Sequence, residues 1–326
     1  MENQPLEILH GRHNPMIDTP HGLHIWGFEV PVYLFLGGVV AGTMILLVLL
    51  ELTLGRRPRS RALQAAPFVA MGLLSLGMGA LALDLEHPAH IYRFFMAFKP
   101  TSPMSWGSWI ITLVYPVLLA LGLGGLDEGA RAWLRARLPL GRLLSGAIDW
   151  ADRRRSLILP VSLVFGVSVG VYTGLLLGTM AARLAWNTAA LGPLFLVSGI
   201  STGAAFLLLQ PLEHDEQHLL LRWDLIAMGV ELVLLAVMLL AFATGGAAAR
   251  AAVEPLLGGA WTAWFWSLVV LGGLVTPLLL GLIERRRGLA MTRLAPALVL
   301  IGGYALRAIL VGVGQETSFA TISLLR

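Results

Sequence analysis

The sequence predicts an all-α integral membrane protein, with eight transmembrane helices arranged as two four-helix bundles. Three observations carry this. Of the 326 residues, 57% are apolar and only 13% charged, whereas about a quarter of an average soluble domain is charged. The apolar residues gather in runs of about 20, the length that crosses a bilayer as a helix. A small-residue pattern in the first run returns in the fifth, which divides the chain into two similar halves. Strands are not expected, because an open sheet leaves backbone groups unsatisfied in lipid.

The chain divides into four segments: an N-terminal segment (1–27), a first four-helix half (28–177), a second (178–313) and a C-terminal tail (314–326). The N-terminal segment is polar from Met1 to His24 and lacks the apolar core of a cleavable signal peptide. The first span therefore directs insertion. Span one, Phe28–Leu54, carries Phe35-Leu36-Gly37-Gly38-Val39-Val40-Ala41-Gly42. Span two, Ala65–Leu85, ends on an ionisable residue, Asp84. A loop with His87, His90 and several aromatics leads through Ser105-Trp106-Gly107-Ser108-Trp109 into span three, Ser108–Leu126. Span four, Leu157–Leu177, holds Tyr172 near its end. Span five, Leu191–Gln210, repeats the first pattern as Leu196-Val197-Ser198-Gly199-Ile200-Ser201-Thr202-Gly203. In both copies a small residue recurs every fourth position, which lets helix backbones approach closely. Span six, Leu225–Thr244, contains Glu231. Span seven is Trp264–Ile283, and span eight, Ala295–Val313, carries Arg307 at mid-length.

Lys and Arg set the orientation. Sixteen fall in the first, third, fifth and seventh loops, six in the termini and the remaining loops, and Arg307 lies inside a span. The basic side is cytoplasmic. Both termini and the Asp84–Trp109 stretch then face the periplasm of a bacterial inner membrane. The net charge is +4, but apart from Arg307 the basic residues lie in the loops and termini, so a nucleic-acid partner is not indicated. The expected surroundings are membrane lipid.

The residues also limit the chemistry. There is no cysteine, which excludes disulfides, thiolate-held iron–sulfur clusters and covalently attached c-type haem in this chain. None of the eight histidines lies in a predicted span, and a transbilayer haem b needs axial histidines within its helices. His214-Asp215-Glu216-Gln217-His218 reads as a solvated acidic loop rather than a metal site, so no metal ligand set is assigned. A quinone site remains possible. It needs hydrogen-bond partners at the two carbonyls, a titratable group and an apolar slot. One rim offers Asp18, His21, His24, Trp26, Asp84, His87 and Tyr172. Histidine suits proton exchange near neutral pH. Charges inside a span pair or line a path, so Glu231 and Arg307, with Asp84, form a candidate proton path. Glu51 reads as interfacial.

Several motifs resemble the NrfD/PsrC-like family, the quinone-binding membrane subunits of polysulfide reductase and related complexes. Ser102-Pro103-Met104-Ser105-Trp106-Gly107 fits that family's pattern. Asp84, Leu85 and Pro88 fit its Asp-Leu-Gly-Arg-Pro motif, with Glu86 and His87 in place of Gly-Arg. Trp186-Asn187-Thr188, Pro193-Leu194-Phe195, Tyr304-Ala305-Leu306-Arg307 and Gly314-Gln315 extend the match over nearly the whole chain. The resemblance implies two four-helix bundles and a quinone site at the periplasmic side. That site would use a histidine preceded at three residues by Asn, and a tyrosine from span four. Asp18-Thr19-Pro20-His21 has that spacing with Asp in the Asn position, His24 being the alternative register. Tyr172-Thr173-Gly174 suits the tyrosine. The implied ligand is menaquinone or ubiquinone as bound substrate. The implied partners are a four-cluster ferredoxin-like iron–sulfur subunit and a periplasmic molybdopterin or haem-containing catalytic subunit. The function expected is that of a quinone-reactive membrane anchor in a respiratory oxidoreductase. The alternative is a secondary transporter or proton-translocating protein without quinone chemistry.

Overall fold

The computed structural model describes residues 26–55, 59–83, 96, 98–137, 141–180, 183–287 and 292–317. Among them, eight helices are long and apolar enough to cross a membrane. They are α1 (Glu29–Leu54), α2 (Arg61–Leu83), α3 (Pro103–Gly125), α6 (Arg155–Gly178), α7 (Leu191–Leu208), α8 (His214–Thr244), α10 (Thr262–Arg287) and α11 (Leu294–Glu316). Among the described residues, three shorter helices lie between them: α4 (Glu128–Arg137), α5 (Gly141–Arg153) and α9 (Ala247–Leu257).

The spans coincide with the sequence reading to within a few residues, with one exception. The sixth begins at His214, not Leu225. Residues 214–218, expected as a loop, form its first turn. A capping box explains the early start: the Glu213 side chain accepts from the N3 backbone, and the Glu213 N–H donates to Glu216 Oε2 at 3.0 Å. Each satisfies a donor that would otherwise be left open at the helix start. The polar first turns can then extend beyond the apolar layer, since 31 residues reach about 46 Å against a core of about 30 Å. The three short helices were not predicted, because 10 to 13 residues cannot span.

Helix α1 lies against α2 and α6, and α3 lies against the same two, so the first four spans close a ring of neighbours. In the second half α7 lies against α8 and α11, and α10 against the same two. The halves meet where α1 packs on α7 and α11, and where α6 packs on α7. Helix α1 is apolar all round and buried all round, including Leu34, Val40, Met44, Leu46 and Leu47, as expected of a central helix. Outer spans instead turn leucines outward, Leu76 on α2 and Leu279 on α10 among them.

Lipid tails are as apolar as leucine, so burial of apolar surface supplies little drive for helix association here, and close packing must supply it. The α1–α7 crossing shows how. A Cβ on Gly42 would strike the Gly199 carbonyl, and one on Gly203 would lie 2.6 Å from the Gly42 carbonyl carbon. One on Gly199 would lie 2.9 Å from the Gly38 carbonyl oxygen. These glycines belong to the two copies of the repeated pattern, so the copies pack on each other. A second close pair, Gly273 and Gly302, joins α10 to α11, beside a π-helical stretch at Phe265–Val275.

The two faces of the molecule take their names from residues near them, the Trp26 end and the Glu51 end. The charge asymmetry predicts that the Glu51 end is cytoplasmic. The chain has no native cysteine, so single Arg137→Cys, Arg287→Cys and Gly27→Cys variants can be probed with an impermeant maleimide on intact cells. Gly27→Cys should label, and the other two only after the membrane is opened. Labelling of Arg137→Cys and Arg287→Cys from opposite sides would break the eight-span order.

Candidate functional site

At the Trp26 end of the first half, α6 delivers Tyr172 to the wall of α3. Tyr172 is buried, and its hydroxyl and ring lie over the bare backbone of Gly107. Tyr33 of α1 is also buried and lies within electrostatic reach of Tyr172. It passes Gly77 of α2, where a Cβ would stand 3.7 Å from the Tyr33 ring. Neither phenol has a hydrogen-bond partner among the described residues. Polar groups within an apolar bundle are normally bonded, and neither hydroxyl is among the fully buried unpartnered atoms, so the pair marks a place that a ligand or water can reach. Sequence reasoning singled out Tyr172 but missed Tyr33. A phenol inside an otherwise apolar first span was the available signal.

The start of α3 is tightly braced. The Lys99 N–H donates to Ser105 Oγ at 2.9 Å, and Trp106 Nε1 donates to the Pro100 carbonyl at 2.6 Å. The Ser108 hydroxyl donates to the Ser105 carbonyl at 2.8 Å. Trp109 stands edge-on to Phe98, with its buried Nε1 lacking a partner among the described residues.

Trp26 is held by the other half. It stacks on Trp186 with ring centroids 5.1 Å apart. Its backbone N–H donates to Gln315 Oε1 at 2.8 Å, while Gln315 Nε2 donates to the Trp26 carbonyl at 3.1 Å. Trp186 Nε1 donates to the Leu310 carbonyl at 2.7 Å, and the ring fills the space beside Gly314. Arg183 donates to the Gln315 carbonyl, and burial pushes its guanidinium below the ordinary arginine value. The segment just before α1 is thereby tied to the end of α11. Tyr172 and Trp26 thus share an end but have different neighbours. Asp18, His21, His24, Asp84 and His87, predicted to join them, lie outside the described residues.

Arg307, Glu231 and Asp224 form one string across α11, α7 and α8. Arg307 is fully buried at mid-length of α11. Its Nε donates to the Leu34 carbonyl at 3.2 Å, and Nη1 to Ser198 Oγ at 3.2 Å and the Gly303 carbonyl at 2.7 Å. The guanidinium also lies 5.3 Å from the Phe195 ring centroid and 5.8 Å from that of Phe35. Its Nη2 has no partner among the described residues and would lie 2.5 Å from a Cβ on Gly38. Glu231 of α8, also buried, interacts with Ser198 and with Arg307. It lies six residues past Leu225, in the inner part of the apolar stretch as predicted from the sequence, and at mid-length of α8 because the helix starts eleven residues earlier than expected. Asp224 takes the inner position. It is buried, and accepts the Ser201 hydroxyl at 2.6 Å. Asp224 and Glu231 are seven residues apart, two turns on one helix face. Ser198 and Ser201 face them from α7. Asp224 escaped prediction because it lies just outside the span read from the sequence, although that same spacing was its signal.

At the Glu51 end, Glu51 stands three residues before the end of α1 but faces into the protein. It is buried and clamped by two arginines. Arg155 Nε donates to Oε1 at 2.8 Å, and Arg155 Nη2 and Arg59 Nη2 both engage Oε2. Arg155 Nη1 also reaches the Leu121 carbonyl at 2.7 Å, so α6 ties α1 to α3. Burial pushes the Arg59 guanidinium below its ordinary value, against the pull of Glu51. Beyond it, the Ser60 N–H donates to Glu216 at 3.0 Å, and Gln64 is paired with Asp127. The Ala130 N–H bonded to Asp127, followed by Gln64, holds that carboxyl below the usual range. His214 and His218 touch edge-on at 4.3 Å between ring centroids. Among the described residues, no group of three His, Cys, Asp or Glu could hold a metal ion.

Comparison with known proteins bears on this arrangement. The family model described as Polysulphide reductase, NrfD matches residues 17–320. Protein NrfD of Escherichia coli K12 is 30% identical over 305 residues, covering 90% of this sequence and 96% of that protein. The C-chain of polysulfide reductase from Wolinella succinogenes is 29% identical over 311 residues, covering 89% of this sequence and 94% of that one. The C-subunit of selenate reductase from Mesobacillus selenatarsenatis is 24% identical over 201 residues, covering 56% of this sequence and 47% of that protein. With a family match across nearly its whole length and eight apolar spans, the chain belongs to the polysulphide reductase NrfD family of multi-pass integral membrane proteins.

Proposed function

We propose that this chain is the quinone-reactive membrane subunit of a multisubunit respiratory oxidoreductase. The observation that carries the reading is the buried Tyr172 phenol, seated against Gly107 at the Trp26 end with no partner among the described residues. Tyr33, mostly buried nearby on α1, supplies a second phenol. The family supports the setting, since two relatives are named as components of polysulfide and selenate reductases.

In this reading the Trp26 end faces the periplasm of the bacterial inner membrane, with both termini there. A menaquinone or ubiquinone headgroup accepts a hydrogen bond from Tyr172 at one carbonyl and from His21 at the other. Asp18, His24, Trp26 and His87 complete the rim, and Asp84 exchanges protons with it. Reduction takes up two electrons and two protons, and quinol oxidation releases them. The electrons pass to or from an iron–sulfur partner subunit, and beyond it a periplasmic molybdopterin or haem-containing subunit. Glu231 and Arg307, extended by Asp224, Ser198 and Ser201, form a proton path from the Glu51 end. Two carboxyls and one guanidinium in an apolar interior are neutral only if one carboxyl holds a proton, and the serines can pass that proton along.

The test is a pair of activities measured on the intact complex. Loss of one hydrogen bond to a buried partner costs about 1–3 kcal/mol. His21→Ala and Tyr172→Phe should therefore each lower quinone-linked turnover roughly ten- to a hundredfold, with activity toward artificial dyes retained. Unchanged quinone-linked turnover in both variants, with normal assembly, removes the site from this rim.

A further inference from the structure

We propose that Gly107 is a positioning residue for Tyr172. The bare α3 backbone at this point is the notch that sets where the phenol stands. The inference rests on the quinone reading above. A Cβ at position 107 would fall on the Tyr172 hydroxyl and on the adjoining ring carbons. Both walls are held by bonds and close packing of their own. The first turn of α3 is braced through Lys99 to Ser105, Trp106 to Pro100 and Ser108 to Ser105. Helix α6 is pinned two residues past the tyrosine, where Gly174 lies against the Leu191 carbonyl and a Cβ would stand 2.7 Å from the Gly192 nitrogen. On the next position, Thr173 is held by its hydroxyl bond to the Gly170 carbonyl, with its methyl 3.4 Å from a Cβ on Gly37. With both backbones fixed, an added methyl group leaves the ring one response, a swing to another side-chain rotamer. That swing carries the hydroxyl away from the place the notch defines. A misplacement of about 1 Å is enough to cost around a hundredfold in rate.

The experiment compares Gly107→Ala in two backgrounds of the intact complex. In the native background, quinone-linked turnover should fall at least tenfold, with dye activity and complex assembly kept. In a Tyr172→Leu background, adding Gly107→Ala should change the remaining turnover less than twofold, because the residue it acts through is gone. A fluorine label on tyrosine, with the Tyr172 resonance assigned from Tyr172→Phe, should shift that resonance in Gly107→Ala. If Gly107→Ala alone fails to assemble, Tyr172→Leu should restore assembly by removing the clash, and absence of that rescue overturns the proposal. Equal losses in both backgrounds, or an unmoved Tyr172 resonance, overturn it as well. These outcomes are separable from failure of the quinone reading. A silent Tyr172→Phe defeats the reading itself, whereas an active Gly107→Ala beside an impaired Tyr172→Phe defeats only the positioning role.

Discussion

Replacing Arg307 with leucine is expected to destabilise the folded chain by about 3–5 kcal/mol, the cost of breaking a buried charge arrangement by removing one member. The guanidinium is fully buried, bonded to the Leu34 and Gly303 carbonyls and to Ser198, and flanked by two aromatic rings. Without it, Glu231 and Asp224 face an apolar interior with no cation from this string. The observable result is a large drop in the half-unfolding temperature of the detergent-purified protein, or its loss from membranes. Arg307→Lys should fall between, since an ammonium keeps the charge but cannot reach several acceptors from one planar fork. The double variant Arg307→Leu with Glu231→Leu separates two roles. If the pair is only structural, the double variant should regain most of the stability and retain function. If the string moves protons, stability returns and quinone-linked turnover does not.

Glu51→Ala is expected to be comparably severe, again about 3–5 kcal/mol. It strands Arg155 and Arg59, which both bond this one carboxylate in a buried site. Arg155 also loses the partner that aims it at the Leu121 carbonyl, so the hold between α1, α3 and α6 loosens at the Glu51 end. Thermal unfolding followed by size exclusion should show the loss. Glu51→Gln, which keeps the shape and one acceptor, should cost less than Glu51→Ala. A Glu51→Ala protein as stable as the native one would show the clamp to be dispensable. Sited far from Tyr172, Glu51→Gln should leave the quinone-linked to dye activity ratio unchanged.

The eight spans were legible because bilayer length is written directly as runs of apolar residues. The small-residue repeat was legible for a similar reason, since helix contact in lipid selects glycine at fixed spacing. The helix containing Asp224 was read too short because a hydropathy window ends where polarity begins, whereas the helix continues to its cap at Glu213. Helices α4, α5 and α9 carry polar faces and have no bilayer-length signature. The Glu51–Arg155 clamp joins residues 104 positions apart, and nothing local announces such a partner. Of the candidate site, Tyr172 could be named from the resemblance, and Gly107 appeared within a quoted motif. Their contact could not be read, because it depends on which faces of α3 and α6 meet. Arg307 and Glu231 were recognisable singly as charges inside spans. The serines that join them became meaningful only once α7 was seen to run beside α8 and α11.

The glycine seam between α1 and α7 has a consequence for ancestry. Gly38 meets Gly199 and Gly42 meets Gly203, so the two seam glycines of one copy rest on their own counterparts in the other. Two parallel helices that touch in this way are related by a two-fold axis along the membrane normal, the relation expected of parallel repeats. It is also the self-complementary contact of a homodimer, here enclosed within one polypeptide. Such a seam is what duplication and fusion of a four-helix ancestor would leave behind, with an old subunit boundary turned into the centre of the fold. The halves have since parted company. The first buries Tyr33 and Tyr172 toward the Trp26 end, and the second buries Glu231 and Arg307 along the middle of their helices.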